Sequence, residues 1–452
     1  MDLMDTLSSA AAIGGKAVNG KGIFSGFATD SRDVKKGDMF LCIKGERTDG
    51  HLYIKSAEEN GASCFLCQED LETSIPYIKV PNTEKGIQDL ARFHRANNIA
   101  DTKVVAVTGS VGKTTTKELT AAVLASKYKT YKTRGNKNSE TGLPITILEI
   151  EKSHDAAVTE MGMSNLGEIE VLSKIACPDI GIITNIGHSH IENLGSRENI
   201  LKAKLEIISG MKKNGILILN GDDEYLVNCS DIYTTVLSYG INNKKSDFYA
   251  KDIIEKDGVT YFTAITLKGD IKIELPLLGK HNVYNSLAAI AAGLSCGLTL
   301  EEAAAGLKNF ETTYTRQNIY EKNGFTIFDD SYNAAPASVS ASVDVLRTFN
   351  QRKIAVLGDM LELGELSKDF HQQTGEKLAG IDVLISYGNF ADSYAFGAYN
   401  VGVKEIYSCK DASQAAEKLK SSAKKGDIIL FKASRGMTAE KIIESFIKDI
   451  DK

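Results

Sequence analysis

One stretch constrains this chain more than any other, the run Val104 to Thr116, which reads VVAVTGSVGKTTT. Four apolar residues are followed by Gly109, Gly112 and Lys113, which predicts a buried strand, a tight glycine turn and the start of a helix. Backbone N–H groups at such a helix start, together with the helix dipole, form an anion site. A lysine and a threonine there would contact nucleotide phosphates and Mg²⁺. The sequence therefore predicts a nucleotide-binding loop.

This loop departs from the general phosphate-loop pattern at one position. The first glycine of that pattern would fall at position 107, which is a valine here. A chance glycine turn in an α/β domain is the alternative, but strand, glycines, lysine and threonine occur in the required order. The residues predicted to bind nucleotide in the loop are Gly109, Ser110, Val111, Gly112, Lys113, Thr114 and Thr115.

Composition and charge exclude several classes of protein. The 452 residues carry a formal net charge of −6, so no broad basic surface favours a nucleic-acid partner. No run of about 18 apolar residues predicts a membrane span, and the acidic N-terminus has no signal-peptide pattern. Seven scattered cysteines suit a reducing compartment. We expect a cytoplasmic monomer that acts on small molecules.

The order of predicted elements indicates an α/β protein with three domains, in line with about 150 residues per domain. Residues 1–98 form a small N-terminal α/β domain. Residues 99–311 begin with the nucleotide loop and alternate strands with helices, which is typical of a mainly parallel sheet with ligands at the C-terminal strand ends. Within them, residues 248–278 alternate as antiparallel strands do. Residues 312–452 form a third, Rossmann-like domain without a Gly-x-Gly-x-x-Gly motif.

Two predicted strand ends in the central domain carry polar groups. Glu160 ends the first of them and is placed to hold Mg²⁺ near the phosphates, with a solvated strand-end carboxylate as the alternative. His188 and His190 follow the next strand. Each can ligate a metal, orient a phosphate or serve a structural role, and spacing alone leaves these alternatives open.

Helical periodicity singles out Lys204. On a helix over residues 200–213, the apolar residues share one face and Lys204 lies at its middle. A buried, unpaired ammonium is costly, so this lysine needs a partner, a lowered pKa or a modification. A neutral amine can combine with CO₂ to give a carbamate, which would be an anionic oxygen ligand for a second Mg²⁺. Snorkelling of the amine along the helix is the alternative.

Several further groups have more than one interpretation. Asn282 opens an alanine-rich helix and would either contact a base edge or cap that helix. Asp329 and Asp330 follow a short apolar run, where paired acids can bind sugar hydroxyls, a metal or an amine. The groups that spacing alone does not assign are the loop from Asp30 to Arg32, Arg316 and Arg435.

Together these segments resemble the Mur ligase family, and within it the MurF type. The resemblance runs from Thr29-Asp-Ser-Arg32 to Ser434-Arg-Gly-Met437 and so covers all three domains. The compressed Thr-Gly-Ser-Val-Gly-Lys-Thr-Thr loop is this family's version of the phosphate loop. Asp329-Asp-Ser-Tyr-Asn-Ala334 is the motif that resembles the MurF type rather than its siblings.

The resemblance implies an ATP-dependent amide ligation in peptidoglycan precursor synthesis. The carboxylate of a UDP-N-acetylmuramoyl-tripeptide would form an acyl phosphate, and the amine of D-alanyl-D-alanine would then displace phosphate. The N-terminal domain would bind the UDP end, the central domain ATP, and the C-terminal domain the dipeptide. Domain closure would exclude water from the acyl phosphate.

The resemblance also implies roles for the residues that match the family. The implied catalytic residues are Lys113, His190 and Lys204, the last as a carbamate. The implied ligands of two Mg²⁺ ions are Thr114, Glu160, His190 and Lys204. The implied nucleotide contacts outside the loop are Asn282 to adenine, Arg316 to the phosphates and Asp330 to the ribose. The implied substrate-binding residues are Ser31, Arg32, Asn138, Ser331, Asn333, Ala335 and Arg435.

One position departs from the family pattern, since Ser139 stands where a second asparagine next to Asn138 is common. A MurE-type ligase and a folylpolyglutamate synthase are the alternatives among ligases. The first would carry a different C-terminal motif, and the second lacks this N-terminal domain. Outside enzymes, the alternative is a regulatory ATP-binding module, which does not need Lys204 on an apolar face. The sequence does not distinguish lysine from diaminopimelate at the third position of the tripeptide.

Overall fold

The computed structural model describes residues 1–45, 48–229, 232, 235–311 and 316–451. They form three α/β units, each built on its own sheet, which confirms the predicted fold class. The boundary predicted at residue 312 lies outside the described residues, and the domain limits stay a prediction. None of the described helices combines the length and the apolar character needed to cross a bilayer.

The N-terminal unit is a small sheet with helices. Its strands are β1 (Met4–Asp5), β2 (Lys16–Val18), β3 (Ile23–Phe24), β4 (Gly26–Ala28), β5 (Asp38–Leu41), β6 (Cys64–Cys67) and β7 (Tyr77–Lys79). Its helices are α1 (Thr6–Ile13), α2 (Ile54–Glu59) and α3 (Thr83–Asn97). Five strands pair in the order β2-β7-β6-β5-β4, all parallel except β2 with β7, while β1 pairs with β3.

The central unit contains a nine-stranded sheet. Its strands are β8 (Lys103–Thr108), β9 (Thr130–Lys132), β10 (Ala156–Glu160), β11 (Ile180–Ile183), β12 (Ile216–Asn220), β13 (Val236–Gly240), β14 (Phe248–Lys256), β15 (Val259–Thr266) and β16 (Gly269–Leu275). Its helices are α4 (Lys113–Ala125), α5 (Gly142–Leu148), α6 (Glu168–Ala176), α7 (Ile191–Leu194), α8 (Arg197–Leu205), α9 (Lys280–Ser295) and α10 (Leu300–Lys308). The order is β16-β15-β14-β13-β12-β11-β8-β10-β9, antiparallel only from β14 to β16. The mainly parallel sheet and the antiparallel segment are both confirmed.

The C-terminal unit is a six-stranded, mostly parallel sheet with helices between its strands. Its strands are β17 (Asn318–Lys322), β18 (Phe325–Asp329), β19 (Lys353–Gly358), β20 (Val383–Tyr387), β21 (Glu405–Cys409) and β22 (Ile428–Lys432). Its helices are α11 (Pro336–Arg347), α12 (Ser367–Gly375), α13 (Ala391–Asn400), α14 (Ala412–Ser422) and α15 (Ala439–Ile450). The order is β17-β18-β22-β19-β20-β21, with only β17 antiparallel to its neighbour.

The three units differ in how they share buried apolar residues. One core joins the N-terminal sheet, through residues such as Leu41, Leu66 and Leu90, to central residues such as Leu172 and Ile207. Among the described residues, the two C-terminal cores include one buried residue from outside their unit, Leu278. Burial of apolar area is the main stabilising contribution. The first two units therefore share one apolar core. The C-terminal unit is held to them mainly by contacts outside its apolar cores.

The helix predicted over residues 200–213 is shorter in the structure. α8 ends at Leu205, and a 3-10 turn follows over residues 206–210. The Glu206 carboxylate accepts two backbone N–H groups at the start of α6, at 2.7 and 3.2 Å. Ser173 on α6 donates to a backbone carbonyl of the same turn. These tertiary hydrogen bonds replace the last helical turn, which apolar periodicity does not reveal.

Candidate active site

The nucleotide loop joins β8 to α4, as predicted. Gly112 is the N-cap of α4 and has a φ of 83°, a left-handed conformation that disfavours side chains. Gly109 has a φ of 147°, and a Cβ there would lie 1.8 Å from the Thr184 hydroxyl oxygen. The two glycines therefore let the backbone turn tightly. The free N–H groups of the first turn of α4 make that turn an anion site.

A second loop, after β11, braces the nucleotide loop. The Asn185 side chain accepts the Val111 N–H and donates to the Val111 carbonyl, both at 3.0 Å. The Asn185 carbonyl accepts the Ser110 N–H at 3.0 Å, and the Ser110 hydroxyl oxygen accepts the Gly187 N–H at 2.8 Å. The shape of the nucleotide loop is thus fixed by its neighbouring strand end.

Lys113 reaches back over the nucleotide loop. Its Nζ donates to the carbonyls of Gly109 at 2.7 Å and Ser110 at 3.2 Å. Burial lowers the pKa of this amine below its usual value, and Glu160 acts in the opposite direction. The amine lies against the loop, where it can contact a phosphoryl group that is being transferred.

Glu160 is buried at the end of β10, so the solvated strand-end interpretation is wrong. Its Oε1 accepts the Asn138 amide at 2.9 Å, and the Lys117 amine lies 3.7 Å from Oε2. Lys117 is also buried and donates to the Thr133 carbonyl at 2.9 Å. Glu160 Oε2 is a buried oxygen with no hydrogen-bond partner in the described part of the chain. An oxygen of this kind fits a Mg²⁺ ligand.

Lys204 is buried on α8, with 1% of the residue exposed, as its periodicity predicted. Burial lowers the pKa of its amine well below the usual value, and the positive charge of Lys113 lowers it further. No described carboxylate counters that shift. A side chain this buried does not snorkel, so that alternative is wrong. Its amine is neutral more readily than an exposed one, which favours reaction with CO₂.

A cavity lies between the nucleotide loop and the C-terminal unit, and Arg316 lines it. Arg316 Nη2 donates to the Thr114 hydroxyl oxygen at 3.2 Å. Its guanidinium carbon lies 4.0 Å from the centre of the Tyr332 ring. The Nε of Arg316 is buried and has no hydrogen-bond partner among the residues that the structure describes. Arg316 therefore connects the two units and keeps one donor available for an anionic ligand.

Asn282 and Asp330 line the same cavity. The Asn282 amide donates to the Gln317 side-chain oxygen at 2.6 Å. One Asp330 carboxylate oxygen lies 2.5 Å from the Lys432 amine, and both residues are buried. The N-cap of α9 is Gly279, so the interpretation of Asn282 as a helix cap is wrong. Both predicted nucleotide contacts thus face one space.

The two histidines after β11 have different surroundings. His190 Nδ1 lies 2.6 Å from a carboxylate oxygen of Glu362 in the C-terminal unit. The His188 ring packs on Phe370 with 4.5 Å between ring centres. His188 is thus engaged in an aromatic contact between units, and His190 is the better candidate for a ligand.

The predicted substrate residues of the first two units belong to different sheets. Ser31 is buried, and the Arg32 Nε donates to the Asp30 carboxylate at 2.9 Å. Asn138 contacts Glu160, so it supports the candidate metal ligand. The loop from Asp30 to Arg32 is on the N-terminal unit, and Asn138 is beside the nucleotide loop's sheet.

The predicted substrate residues of the C-terminal unit cluster around the start of α11. The Ser331 hydroxyl donates to Asp329 at 2.6 Å, and burial raises the pKa of that carboxyl. Ala335 is the N-cap of α11, and Asn333 just before it is exposed. The exposed Arg435 lies with its guanidinium carbon 5.8 Å from the Tyr332 ring centre. These groups therefore share one side of the C-terminal unit.

Sequence reasoning missed several residues of the site. Lys117 lies four residues after Lys113 on the same helix, a spacing that puts two side chains on one face. Lys432 ends the buried strand β22, and a strand end is also the signal that identified Glu160. Asn185 follows the strand β11 and so carries the same signal. Glu362 carries none, because its partner His190 is distant in sequence, and only the fold reveals it.

The chain matches three profiles of one family. These are the Mur ligase middle domain at residues 107–293, the Mur ligase glutamate ligase domain at residues 315–435, and the Mur ligase family catalytic domain at residues 24–123. A Bacillus subtilis protein named UDP-N-acetylmuramoyl-tripeptide–D-alanyl-D-alanine ligase is 40% identical over 438 residues, which is 94% of each chain.

Solved structures show the same similarity. The structure of MurF from Acinetobacter baumannii has a TM-score of 0.90 at 30% identity, and the match covers 99% of both chains. That of the MurF ligase from Thermotoga maritima, in complex with ADP, has a TM-score of 0.82 at 34% identity. This second match covers 94% of the present chain and 98% of the other. The similarity extends over all three units and is not limited to the nucleotide loop.

Proposed function

Because this chain belongs to the Mur ligase family, we propose that it joins D-alanyl-D-alanine to UDP-N-acetylmuramoyl-tripeptide with the hydrolysis of ATP. The observation that carries the proposal is the 40% identity, over 94% of both chains, to a protein named for that reaction. The reaction belongs to peptidoglycan precursor synthesis. The site's arrangement supports it, because a phosphate loop faces residues of a second unit across one cavity.

The proposed reaction has two steps. The terminal carboxylate of the tripeptide attacks the γ-phosphorus of ATP, which forms an acyl phosphate and releases ADP. The amine of D-alanyl-D-alanine then attacks the acyl carbon, so that an amide forms, phosphate leaves and the amine loses a proton. Lys113 and Arg316 would stabilise negative charge on the transferring phosphoryl group. Asn282 and Asp330 would hold the adenine and the ribose.

We propose that the site holds two Mg²⁺ ions. Thr114 and Glu160 would hold one ion, and the unpartnered buried oxygen of Glu160 supports this. His190 and carbamylated Lys204 would hold the other. The carbamate forms when the neutral amine bonds to CO₂ and releases a proton, which the lowered pKa of Lys204 favours. Bound there, the ions would neutralise phosphate charge.

The substrates would span all three units. Ser31 and Arg32 would bind the UDP end, and the groups around the start of α11 would bind the dipeptide. ATP and a UDP-linked substrate support a cytoplasmic location, and so do the seven cysteines, which are all free thiols. We also propose that the protein is a monomer.

An ADP-release assay tests the proposal. Purified protein would receive ATP, Mg²⁺ and a UDP-N-acetylmuramoyl-tripeptide with either lysine or diaminopimelate, with and without D-alanyl-D-alanine. We expect ADP release that requires both co-substrates, and the preferred tripeptide identifies its third residue. Release with a single amino acid would instead indicate a sibling ligase. No release with any amine would contradict ligase activity altogether.

A further inference from the structure

Glu362 reaches from the C-terminal unit to the nucleotide side of the cavity. It lies on the loop after β19, and its carboxylate oxygen is 2.6 Å from His190 Nδ1. The His190 side chain is 22% exposed and that of Glu362 54% exposed. A contact this open to solvent contributes little to the stability of the fold.

Backbone conformation marks the same two residues. His190 has a φ of 65° and Glu362 a φ of 64°, both in the left-handed region that residues with a side chain seldom adopt. Such strain persists where the surrounding structure requires it, and it concentrates at functional sites. His190 and Glu362 both have this strained backbone and contact each other across a unit boundary, which indicates that their relative position has a function.

The flanking residues hold this contact in place. The Glu192 N–H donates to the Glu362 carbonyl at 3.3 Å. Next to them, the His188 ring packs on Phe370, and Ile191 packs against the C-terminal core. The segment from His188 to Glu192 is thus docked on the C-terminal loop through backbone, ring and apolar contacts. The relative position of His190 and Glu362 therefore follows from the docking of the two units.

Glu362 approaches the His190 ring at one nitrogen only. Its carboxylate oxygen lies 2.6 Å from Nδ1, a buried nitrogen that has no hydrogen bond to another described residue. A carboxylate that engages one ring nitrogen of a histidine fixes the ring's orientation and tautomer and makes the other nitrogen a better metal ligand. No described residue hydrogen-bonds His190 Nε2, so that nitrogen is available.

We infer that Glu362 is a positioning residue, supplied by the C-terminal unit, that orients His190 to bind the second Mg²⁺. The inference rests on the proposed assignment of His190 to that ion. Because the carboxylate belongs to one unit and the histidine to another, the second metal site is complete only when the units are docked. Metal affinity at this site is thereby tied to closure of the C-terminal unit.

Manganese binding provides a test that does not depend on turnover. Electron paramagnetic resonance of free Mn²⁺ would measure binding to the intact protein with the β,γ-methylene analogue of ATP. We expect two sites in the wild-type protein. Glu362→Ala should weaken one of them by about 10-fold or more, the usual effect of removing such a partner. Glu362→Gln, which keeps an acceptor for the ring N–H, should recover part of that affinity.

Two controls separate positioning from general disturbance. Glu365→Ala removes an exposed carboxylate from the same loop and should leave both Mn²⁺ affinities unchanged. In a His190→Ala background, Glu362→Ala should have no further effect, because both changes act on the same site. Thermal unfolding of each variant checks that the fold is retained.

Three results would overturn the inference. These are a single Mn²⁺ site in the wild-type protein, equal affinities in the Glu362→Ala and Glu365→Ala variants, or additive effects of Glu362→Ala and His190→Ala. The ligation assay is a separate readout. Ligation with Mn²⁺ binding that is insensitive to Glu362 defeats this inference alone. Sensitive Mn²⁺ binding without ligation defeats the proposed function alone.

Discussion

Lys204 combines a lowered amine pKa with nearly complete burial, and its replacement should be severe. We expect Lys204→Ala to abolish nearly all turnover, because an alanine cannot carry a carbamate. Small carboxylates or bicarbonate should restore part of the activity by supplying oxygen ligands. Lys202→Ala, which removes an exposed lysine from the same helix, is the matched control and should remain active. Full activity of Lys204→Ala would eliminate the carbamate.

His281 should make the stability of the protein depend on pH. Burial lowers the pKa of this histidine to about 4, whereas an unfolded chain has a histidine pKa of about 6.5. Between these values the unfolded chain binds a proton that the folded chain does not, so the contribution to stability falls as pH falls from about 6.5 towards 4. Near pH 5 the loss would be about 2 kcal/mol.

Urea unfolding at pH 7.5 and pH 5 measures this effect. His281→Gln keeps a polar side chain next to Gln317, which His281 contacts at 2.7 Å, but it does not titrate. The variant should therefore lose less stability than the wild-type protein between the two pH values. An equal loss in both proteins would show that other groups cause the pH dependence.

Single residues also show where sequence reasoning succeeds and fails. Lys204 was predictable because its helix face is local, and helical spacing reports on a local face. Glu160 was predictable because strand ends in a parallel sheet collect ligands. Glu362 was not, since its partner His190 lies far away in sequence. Only tertiary structure brings such pairs together.

The strand–turn–helix element of the nucleotide loop depends on the absence of a side chain at Gly109. A Cβ there would lie 1.8 Å from the Thr184 hydroxyl oxygen, at a φ of 147°. We expect Gly109→Ala to cost about 1–3 kcal/mol of stability and to abolish binding of ADP. Gly402→Ala is the control, because Gly402 has a φ of 81° and no atom lies within 4 Å of an added Cβ. This control separates steric overlap from backbone strain.

Calorimetric unfolding and titration with ADP would measure both effects. A Gly109→Ala variant that binds ADP as the wild-type protein does would show that the loop can shift away from Thr184. It would thereby contradict the tight brace between this loop and the strand end after β11.

Elements whose information is local were predicted well. The strand β8 and the antiparallel segment β14 to β16 are both present. The helix over residues 200–213 was predicted too long, because its apolar spacing continues through a turn shaped by contacts with α6. Periodicity records which face is buried, but not which partner changes the backbone.

At the scale of the whole molecule, Arg316 joins the C-terminal unit to the nucleotide loop, and Tyr332 supports it. A cation over an aromatic ring contributes about 0.5–2 kcal/mol. Tyr332→Leu removes the ring and should raise the KM for ATP about 5-fold. Tyr332→Phe keeps the ring and should stay close to the wild-type value. Steady-state kinetics with ATP as the varied substrate would compare the two.

The two Tyr332 variants also distinguish stacking from hydrogen bonding. Equal losses in Tyr332→Phe and Tyr332→Leu would show that the hydroxyl, and not the ring face, supports Arg316. The relative arrangement of the units that form this contact could not be predicted from the sequence. Patterns within each unit predict its own sheet, but the contacts between units join single residues that no periodicity relates.

The apolar core shared by the N-terminal and central sheets holds the first two units at a fixed distance from each other. If the UDP end is gripped near Ser31 and the phosphoryl group is transferred at Lys113, a rigid frame sets one distance between the grips. A precursor with too short a peptide would not bring its carboxylate to the phosphate. In the lengthened product, the new terminal carboxylate would lie beyond the γ-phosphate. The length of the peptide would therefore prevent a second addition. Substrate choice would then be partly a matter of measurement, made by residues that never touch the peptide.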